Sequence, residues 1–514
     1  MNWDLLNAIP PDAGCVLEVG GEEGGDLREE YLRRNPDCLY IRVAEASLAA
    51  LTSAGPEGDA AASGAEGSLL DLTEGCLIDC AVFDRSLRKL RDPRSALDAL
   101  VRQLAPKAQV VLATEVNADS SAETPTDPAS SRAKGQLERS GLPTLLSSVG
   151  MTVWRAAYCR ERRGRPEQLL VSSIRSGTEV RRTLIQTMLL APEGCAQVRV
   201  HQPNAFLSTI PGVRCITTER MADLSVGLPG EEKVFVWQRP VPDEPFIRSQ
   251  KALLARGYLT VVEVDDYPGR WTQHEDTQFL AFRGCHAIQT STPALAEFLR
   301  QYNPNVVVFP NQVVRRDERW LSRVPGRVRI FFGALNRKRD WQSIIEGLNR
   351  VIARNDVEIS VLHDRAFYDA LATESKRFRP FSTYDAYMRE LSEADIALLP
   401  LTDSVFNRMK SDLKFVESAA SGTVALAGST VYPSCVRDGQ TGLLYEGSAE
   451  FELKLQDLIS DDRERERIAH AAFEWAGARL LKASYRRRHT WYAELLGDHD
   501  GLSEALQRRA PEFA

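Results

Sequence analysis

Val328-Arg329-Ile330-Phe331-Phe332-Gly333-Ala334-Leu335-Asn336-Arg337-Lys338 is the stretch that decides the fold of this chain. Its apolar run is typical of a buried strand of a parallel sheet, and the glycine with the basic residues after it indicates a turn into a helix. Further on come Lys410-Ser411-Asp412-Leu413-Lys414-Phe415-Val416-Glu417-Ser418-Ala419-Ala420-Ser421-Gly422 and then Val436-Arg437-Asp438-Gly439-Gln440-Thr441-Gly442. Together these stretches predict one α/β domain between Arg327 and Glu446.

The order of these motifs resembles the C-terminal domain of GT-B glycosyltransferases of the family 4 type. The resemblance implies two Rossmann-like domains, at residues 178–320 on the acceptor side and 321–496 on the nucleotide-sugar side. It also implies an enzyme of hexosyltransferase type, which moves a sugar from a UDP- or GDP-linked donor to a glycan of the bacterial surface polysaccharide type, with retention. No metal is expected, because cationic side chains and helix N-termini can neutralise the diphosphate.

The resemblance assigns roles to particular side chains of this domain. Arg337, Lys338 and Lys410 match the basic residues that hold the diphosphate, and Glu417 matches the glutamate that accepts hydrogen bonds from the ribose hydroxyls. A carboxylate suits this task because it only accepts hydrogen bonds and can take two hydroxyls. We predict Lys410, Glu417 and Arg337 as catalytic. The predicted donor-binding residues are Gly333, Asn336, Arg337, Lys338, His363, Asp364, Lys410, Lys414 and Glu417.

Two positions in this domain leave alternatives open. Met409 stands where the family commonly has a second glutamate that faces the sugar, and Lys410 and Asp412 are the polar substitutes nearby. His363 and Asp364 either line the nucleotide pocket or, for Asp364, cap the helix that follows.

The middle region, residues 178–320, shows several apolar runs that each end at a polar or turn residue, as strands of an open α/β sheet do at their ligand-binding edge. Its sharpest acidic cluster is Asp265-Asp266, after the strand that begins at Leu259. We predict acceptor-side or structural use of both aspartates. Thr290–Thr292 before Pro293 is typical of a helix N-cap.

Residues 1–177 alternate apolar runs with helical stretches, which predicts another parallel sheet with helices. The glycine-rich turn after Val19, with Glu45 after the second strand, resembles class I S-adenosylmethionine-dependent methyltransferases over roughly residues 12–160. Glu22 replaces the middle glycine of that family's turn, which adds bulk and charge near the cofactor's carboxylate. S-adenosylmethionine binding and a ligand-free Rossmann-like domain are therefore both open. The predicted cofactor-binding residues are Gly20, Gly24, Glu45 and Asp71.

Composition sets the remaining expectations. A chain of 514 residues exceeds one core, and about 100–200 residues per domain suggests three domains and a tail at 497–514. The net charge of −7 gives no general attraction to nucleic acid. Scattered cysteines, no signal peptide and no long apolar stretch predict a cytoplasmic protein. Lys482 with Arg486–Arg488 forms a basic cluster that either attracts the anionic inner membrane face or is a solvated helix.

The expected partner is a glycan or lipid-linked glycan acceptor, and the sequence indicates no oligomeric state. Two rival functions stay open. One is a methyltransferase whose C-terminal part only binds a glycan or nucleotide, and the other is a non-catalytic scaffold.

Overall fold

The computed structural model describes residues 2–20, 27–45, 48, 73, 75–90, 92–115, 141–159, 168–219, 222–317, 326–334 and 337–513. These divide into two compact units, Met1–Thr183 with Ala205–Arg214, and Leu184–Asn204 with Cys215–Ala514. Several predictions lie outside the described residues. They concern Gly24, Asp71 and Asn336, and the loops predicted at Thr52–Gly67 and Asn117–Ser131.

The first unit contains a six-stranded sheet in the order β2-β1-β3-β4-β6-β5. Strands β1 to β4 are parallel, whereas β6 runs antiparallel to both β4 and β5. The strands are β1 (Cys15–Val19), β2 (Leu39–Val43), β3 (Ile78–Asp84), β4 (Leu104–Glu115), β5 (Met151–Cys159) and β6 (Gln168–Arg175). The helices are α1 (Trp3–Leu6), α2 (Leu27–Arg34), α3 (Pro93–Arg102) and α4 (Leu142–Ser148). The predicted parallel sheet is present as β1 to β4, and β5 and β6 add to it.

The second unit begins with a sheet in the order β12-β11-β10-β9-β7-β8, in which β9 to β12 are parallel. Its strands are β7 (Thr183–Leu189), β8 (Val213–Thr218), β9 (Glu232–Gln238), β10 (Leu259–Val264), β11 (Ala287–Thr290) and β12 (Val306–Val308). Its helices are α5 (Gln202–Leu207), α6 (Glu244–Leu254), α7 (Thr272–Asp276), α8 (Leu280–Arg283) and α9 (Pro293–Arg300). Residues 205–207 of α5 and 213–214 of β8 fall in unit 1 by the division above. The predicted N-cap of α9 is confirmed, because Thr292 accepts a hydrogen bond from the Leu295 amide. We call this part of unit 2 the acceptor half, after the role that the sequence predicts for residues 178–320.

The third sheet, in the order β15-β14-β13-β16-β17-β18, is parallel throughout. Its strands are β13 (Val328–Gly333), β14 (Val357–Leu362), β15 (Lys376–Arg379), β16 (Ile396–Leu399), β17 (Val424–Gly428) and β18 (Leu443–Tyr445). Its helices are α10 (Lys338–Trp341), α11 (Ile345–Ile352), α12 (Arg365–Ala370), α13 (Tyr384–Ser392), α14 (Val405–Arg408), α15 (Leu413–Ala420), α16 (Gly447–Ser460) and α17 (Asp462–Ala476). We call this part of unit 2 the donor half, after the role that the sequence predicts for residues 321–496. The predicted α/β fold class is confirmed, with three six-stranded sheets.

The chain ends with α18 (Tyr485–Gly497) and α19 (His499–Arg509), which pack on the acceptor half. Leu506, Ala510 and Phe513 belong to the same buried cluster as Phe246 and Leu295. The basic cluster predicted around Arg486–Arg488 is therefore only partly a surface feature. Arg488 is buried and lies 3.8 Å from a carboxylate oxygen of Glu263, so the prediction that it faces solvent or lipid is wrong for this residue.

Candidate functional site

A cleft of about 1630 Å³ lies between the acceptor half and the donor half. Residues that follow the carboxyl ends of β9 and β10 line one side, and residues that follow β13 and β16 line the other. Parallel sheets bind ligands at this edge, because strand ends and helix N-termini converge there. The cleft is therefore the candidate functional site of unit 2.

Glu417 forms part of the wall on the donor half. Helix α15 holds it with only 1% of its surface exposed. Its Oε2 accepts hydrogen bonds from the Tyr387 hydroxyl at 3.0 Å and from Lys414 Nζ at 3.5 Å. Burial, and then the negative charge of Glu417, raises the pKa of Tyr387 well above its ordinary value, so this phenol stays a donor. Lys414 Nζ also lies 3.9 Å from the Tyr387 ring centroid.

Arg337 is fixed by a buried polar network at the start of α10. Its Nη1 donates to Asp340 Oδ2 at 3.1 Å and to Asn407 Oδ1 at 3.0 Å. The other carboxylate oxygen of Asp340 accepts from Asn407 Nδ2 at 2.7 Å and from the amide and hydroxyl of Thr402. Because Asp340 is only 5% exposed, this network ties the loop after β13 to the loop after β16. Lys338 and Arg339 line the cleft beside it and are exposed.

Lys410 comes from the donor half but forms an ion pair with the acceptor half. Its Nζ lies 2.7 Å from Asp266 Oδ1 and 4.4 Å from the Phe406 ring centroid. Burial lowers the pKa of Lys410, and the neighbouring Asp266 opposes that effect. The second oxygen of Asp266 lies 3.4 Å from Arg270 Nη1. This pair brings together a predicted donor-side residue and a predicted acceptor-side residue.

Asp265 faces the same cleft but has a different partner. Its Oδ1 accepts a hydrogen bond from Arg239 Nε at 2.7 Å. Burial raises the pKa of Asp265, but the Arg239 guanidinium outweighs this effect and holds the pKa below its usual value. Arg239 has a φ of 50°, which is a left-handed conformation that non-glycine residues adopt at some energetic cost. Asp265 thus pairs with Arg239, whereas the adjacent Asp266 pairs with Lys410 and Arg270.

Two residues are predicted for the nucleotide pocket, His363 and Asp364, and their side chains make different contacts in the structure. His363, at φ 74°, lines the cleft, and its ring lies 5.0 Å from that of Phe381. Burial and then Lys414 lower the pKa of His363. Asp364 instead caps α12, where it accepts from the Phe367 amide at 3.0 Å and from Trp341 Nε1 at 3.1 Å. Of the two alternatives for Asp364, the geometry shows the helix cap.

Gly333 ends β13 at a point where no larger residue fits. A Cβ atom there would lie 2.5 Å from the Phe331 ring and 2.9 Å from Cε2 of Tyr387. The glycine thus permits close packing of the cleft wall that carries Tyr387 and Glu417.

Met409 does not face the cleft as a sugar ligand would. Its side chain is partly buried and packs against the hydrophobic cluster of the acceptor half. Its carbonyl accepts a hydrogen bond from Thr292 Oγ1 at 3.2 Å. The position at which the family commonly has a glutamate is therefore an apolar anchor in this chain.

In unit 1, Gly20 and Glu45 lie together at the carboxyl edge of the sheet. Gly20 has a φ of 74°, and a Cβ there would lie 2.7 Å from Glu45 Oε1. Lys89 Nζ lies 3.1 Å from the same oxygen. Within the described residues, no group of three or more histidine, cysteine or acidic side chains could hold a metal ion.

Sequence reasoning missed the residues that hold the site in place. Asp340, Asn407, Tyr387 and Arg239 orient the predicted ligands, yet none belongs to a recognised motif. Their only sequence signal is local: Tyr384 and Tyr387 are spaced i, i+3 on a helix face, and Asp340 follows the basic run.

Several solved structures are remotely similar to this chain. HepE from Anabaena in complex with UDP and glucose is 15% identical, with a TM-score of 0.43, and covers 62% of this chain and 100% of its own. A glycosyltransferase from Rickettsia africae is 12% identical, with a TM-score of 0.44, and covers 62% of this chain and 99% of its own. Sucrose-phosphate synthase from Thermosynechococcus elongatus is 12% identical, with a TM-score of 0.44, and covers 62% and 100%. These likenesses are too remote to transfer site chemistry to this chain.

No curated protein matches the sequence significantly. The described residues contain no helix with the length and apolar character that crossing a membrane requires. Residues 329–495 match the family described as "Glycosyl transferase-like". The matched residues include most of the donor half. This match confirms the prediction of a glycosyltransferase enzyme and identifies the donor half as a glycosyl transferase-like domain.

Proposed function

We propose that unit 2 transfers a sugar from a nucleotide-sugar donor to a glycan acceptor. The observation that carries this proposal is the buried carboxylate of Glu417, which shares one cleft with Arg337, Lys338, Lys410 and Lys414. A carboxylate held by a tyrosine and a lysine suits ribose hydroxyls, and clustered cations suit a diphosphate.

The chemistry follows from this arrangement of charge. As the bond between sugar and diphosphate breaks, negative charge grows on the leaving phosphate oxygens. Arg337 is already held by hydrogen bonds to Asp340 and Asn407, so it stabilises this charge with little reorganisation, and Lys410 adds a second cation in the same cleft. The N-terminus of α15 adds a partial positive charge on the same side of the cleft.

The motif resemblance supports the finer parts of the proposal. These are transfer with retention, a UDP- or GDP-linked donor, and an acceptor of the bacterial surface polysaccharide type. A lipid-linked acceptor would bring the enzyme to the inner membrane face, and the exposure of Arg486 and Arg487 on α18 supports such contact. Co-sedimentation with vesicles of anionic lipid tests it, and loss of binding in the Arg486→Glu/Arg487→Glu variant is expected.

A thermal-shift titration with UDP, GDP, ADP and CMP tests the donor site. A ligand that binds only the folded protein adds about 2.7 kcal/mol of stability at one hundred times its Kd. We expect one nucleoside diphosphate to raise the melting temperature of the wild type, and Glu417→Gln to abolish this rise.

Glu390→Gln is the matched control. Glu390 is also a buried glutamate of the donor half, but it accepts from Ser360 Oγ at 2.9 Å and does not line the cleft. Its variant should keep the nucleotide response. Silence of the wild type towards all four nucleotides, or an unchanged response in Glu417→Gln, would contradict the proposal.

We also propose that unit 1 binds an S-adenosylmethionine-type nucleoside, with the ribose hydroxyls on Glu45. The proximity of Gly20 and Glu45 at the carboxyl edge of the sheet supports this, because parallel α/β sheets bind ligands at that edge. S-adenosylhomocysteine should raise the melting temperature of the wild type, and Glu45→Gln should remove the effect. A wild type that does not respond would favour a Rossmann-like domain that binds no such cofactor.

A further inference from the structure

The segment from Met409 to Asp412 connects the two sides of the cleft. Besides the bond from Thr292 to the Met409 carbonyl, Asn311 Nδ2 donates to Ser411 Oγ at 2.7 Å. Lys410 lies in the middle of this segment and reaches Asp266. The residues on both sides of Lys410 are therefore hydrogen-bonded to the acceptor half, and its own ammonium group forms an ion pair there.

The Lys410–Asp266 pair is largely removed from solvent. The side chain of Lys410 is 21% exposed, and that of Asp266 is 7% exposed. A Coulomb interaction at 2.7 Å is much stronger in such surroundings than in water. Asp266 has weaker support elsewhere, since Arg270 Nη1 lies 3.4 Å away and is 45% exposed, and the Tyr267 amide is 3.2 Å away.

Lys410 cannot keep this partner unchanged and also neutralise a donor diphosphate. A phosphate oxygen in the cleft competes with Asp266 Oδ1 for the same ammonium hydrogens. Once Lys410 turns to the phosphate, Asp266 is a buried carboxylate whose remaining ion pair, with Arg270 at 3.4 Å, is longer and partly exposed, which is costly unless a donor group replaces the ammonium. A hydroxyl group that enters from the acceptor side is such a donor.

We propose that Asp266 is the internal counter-ion of Lys410, which the donor diphosphate displaces, and that the displaced carboxylate then receives an acceptor hydroxyl. Asp266 is thus a positioning residue that links the donor side to the acceptor side. This inference rests on the proposed donor site. It predicts that removal of a negatively charged residue that contacts Lys410 strengthens donor binding instead of weakening it.

The experiment is isothermal titration of UDP and GDP into the full-length wild type and into Asp266→Asn. We expect Asp266→Asn to bind the nucleoside diphosphate about tenfold more tightly, which corresponds to about 1.4 kcal/mol. Glu193→Gln is the control for general loss of negative charge, because Glu193 is an exposed carboxylate that lines the same cleft. Its affinity should equal that of the wild type.

A double-mutant cycle makes the test specific to the pair. In a Lys410→Ala background, Asp266→Asn should give no further tightening, because the cation that it releases is absent. If Asp266→Asn does not fold, Asp266→Ser replaces it in both backgrounds, since it also removes the charge.

The outcomes separate this inference from the proposed function. If the wild type binds neither nucleotide, the donor site itself fails. If the wild type binds and Lys410→Ala weakens binding, but Asp266→Asn binds equally or less tightly, the donor site stands and the counter-ion role is overturned. Equal tightening in the Lys410→Ala background would also overturn it.

Discussion

The hydroxyl group of Tyr387 donates a hydrogen bond to Oε2 of Glu417 over 3.0 Å, inside the wall of the cleft. Glu417 belongs to a motif that the sequence displays, whereas Tyr387 lies 30 positions earlier on α13. The orientation of the predicted ribose ligand therefore depends on a residue outside the motif.

Replacement of Tyr387 by phenylalanine should weaken nucleotide binding. The hydrogen bond to a charged acceptor contributes about 1.5–3 kcal/mol, and its loss leaves Glu417 less well oriented. We expect the Kd of the nucleoside diphosphate to rise by about tenfold in isothermal titration. Tyr445→Phe is the matched control, because Tyr445 is another buried tyrosine of the donor half, packed on Phe451 and outside the cleft lining. Equal weakening in both variants would mean that the effect is general destabilisation.

The packing of Met409 predicts what happens when this position is changed to the glutamate that the family commonly has there. Because Met409 packs against the hydrophobic cluster of the acceptor half, Met409→Glu places a carboxylate against apolar side chains. We expect loss of about 1–3 kcal/mol of folding stability and no gain in affinity for a nucleotide sugar over the bare nucleotide. Met409→Leu, which conserves volume, should stay close to the wild type in chemical denaturation. A stable Met409→Glu protein with tighter nucleotide-sugar binding would show that this side chain faces the sugar.

The sequence predicts the strands better than the side-chain networks, and the reason is physical. Apolar runs such as Val328–Phe332 report burial directly, so strand positions follow from local pattern. The network of Arg337, Asp340 and Asn407 joins residues up to 70 positions apart, and only the tertiary fold brings them together. Arg488 shows the converse error: a basic cluster is usually solvated, but this arginine reaches Glu263 across the fold.

The buried pair of Arg199 and Glu263 gives a prediction on stability. Arg199 donates to Glu263 through Nε at 2.8 Å and Nη2 at 3.1 Å, and it also donates to Asn311 Oδ1 at 2.9 Å. Both side chains are 1% exposed. Arg199→Met leaves the buried Glu263 carboxylate with Arg488, whose Nη1 lies farther away at 3.8 Å, so the variant should cost about 3–5 kcal/mol in chemical denaturation.

The exposed pair Arg248–Glu244 on α6 is the control for Arg199→Met. Its side chains are 78% and 83% exposed, so Arg248→Met should cause no measurable loss of stability. Similar losses of stability in the two variants would show that burial does not account for the contribution of the Arg199–Glu263 pair to folding stability.

His274 predicts how the stability of the acceptor half depends on pH. It is 4% exposed, and burial lowers its pKa from 6.5 to about 4. A histidine whose pKa is lower in the folded state stabilises the fold fully above its unfolded pKa, and this contribution is lost as pH falls from 6.5 towards 4. Between about pH 7 and about pH 5 the expected loss from this residue is about 2 kcal/mol.

His274→Phe, which keeps an aromatic ring beside Phe282, should flatten the dependence of the unfolding free energy on pH over this range. His286, whose pKa burial lowers to about 3, stays in the variant and should leave a residual slope with the same sign. An identical slope in the wild type and in His274→Phe would show that His274 is protonated equally in the folded and unfolded chains.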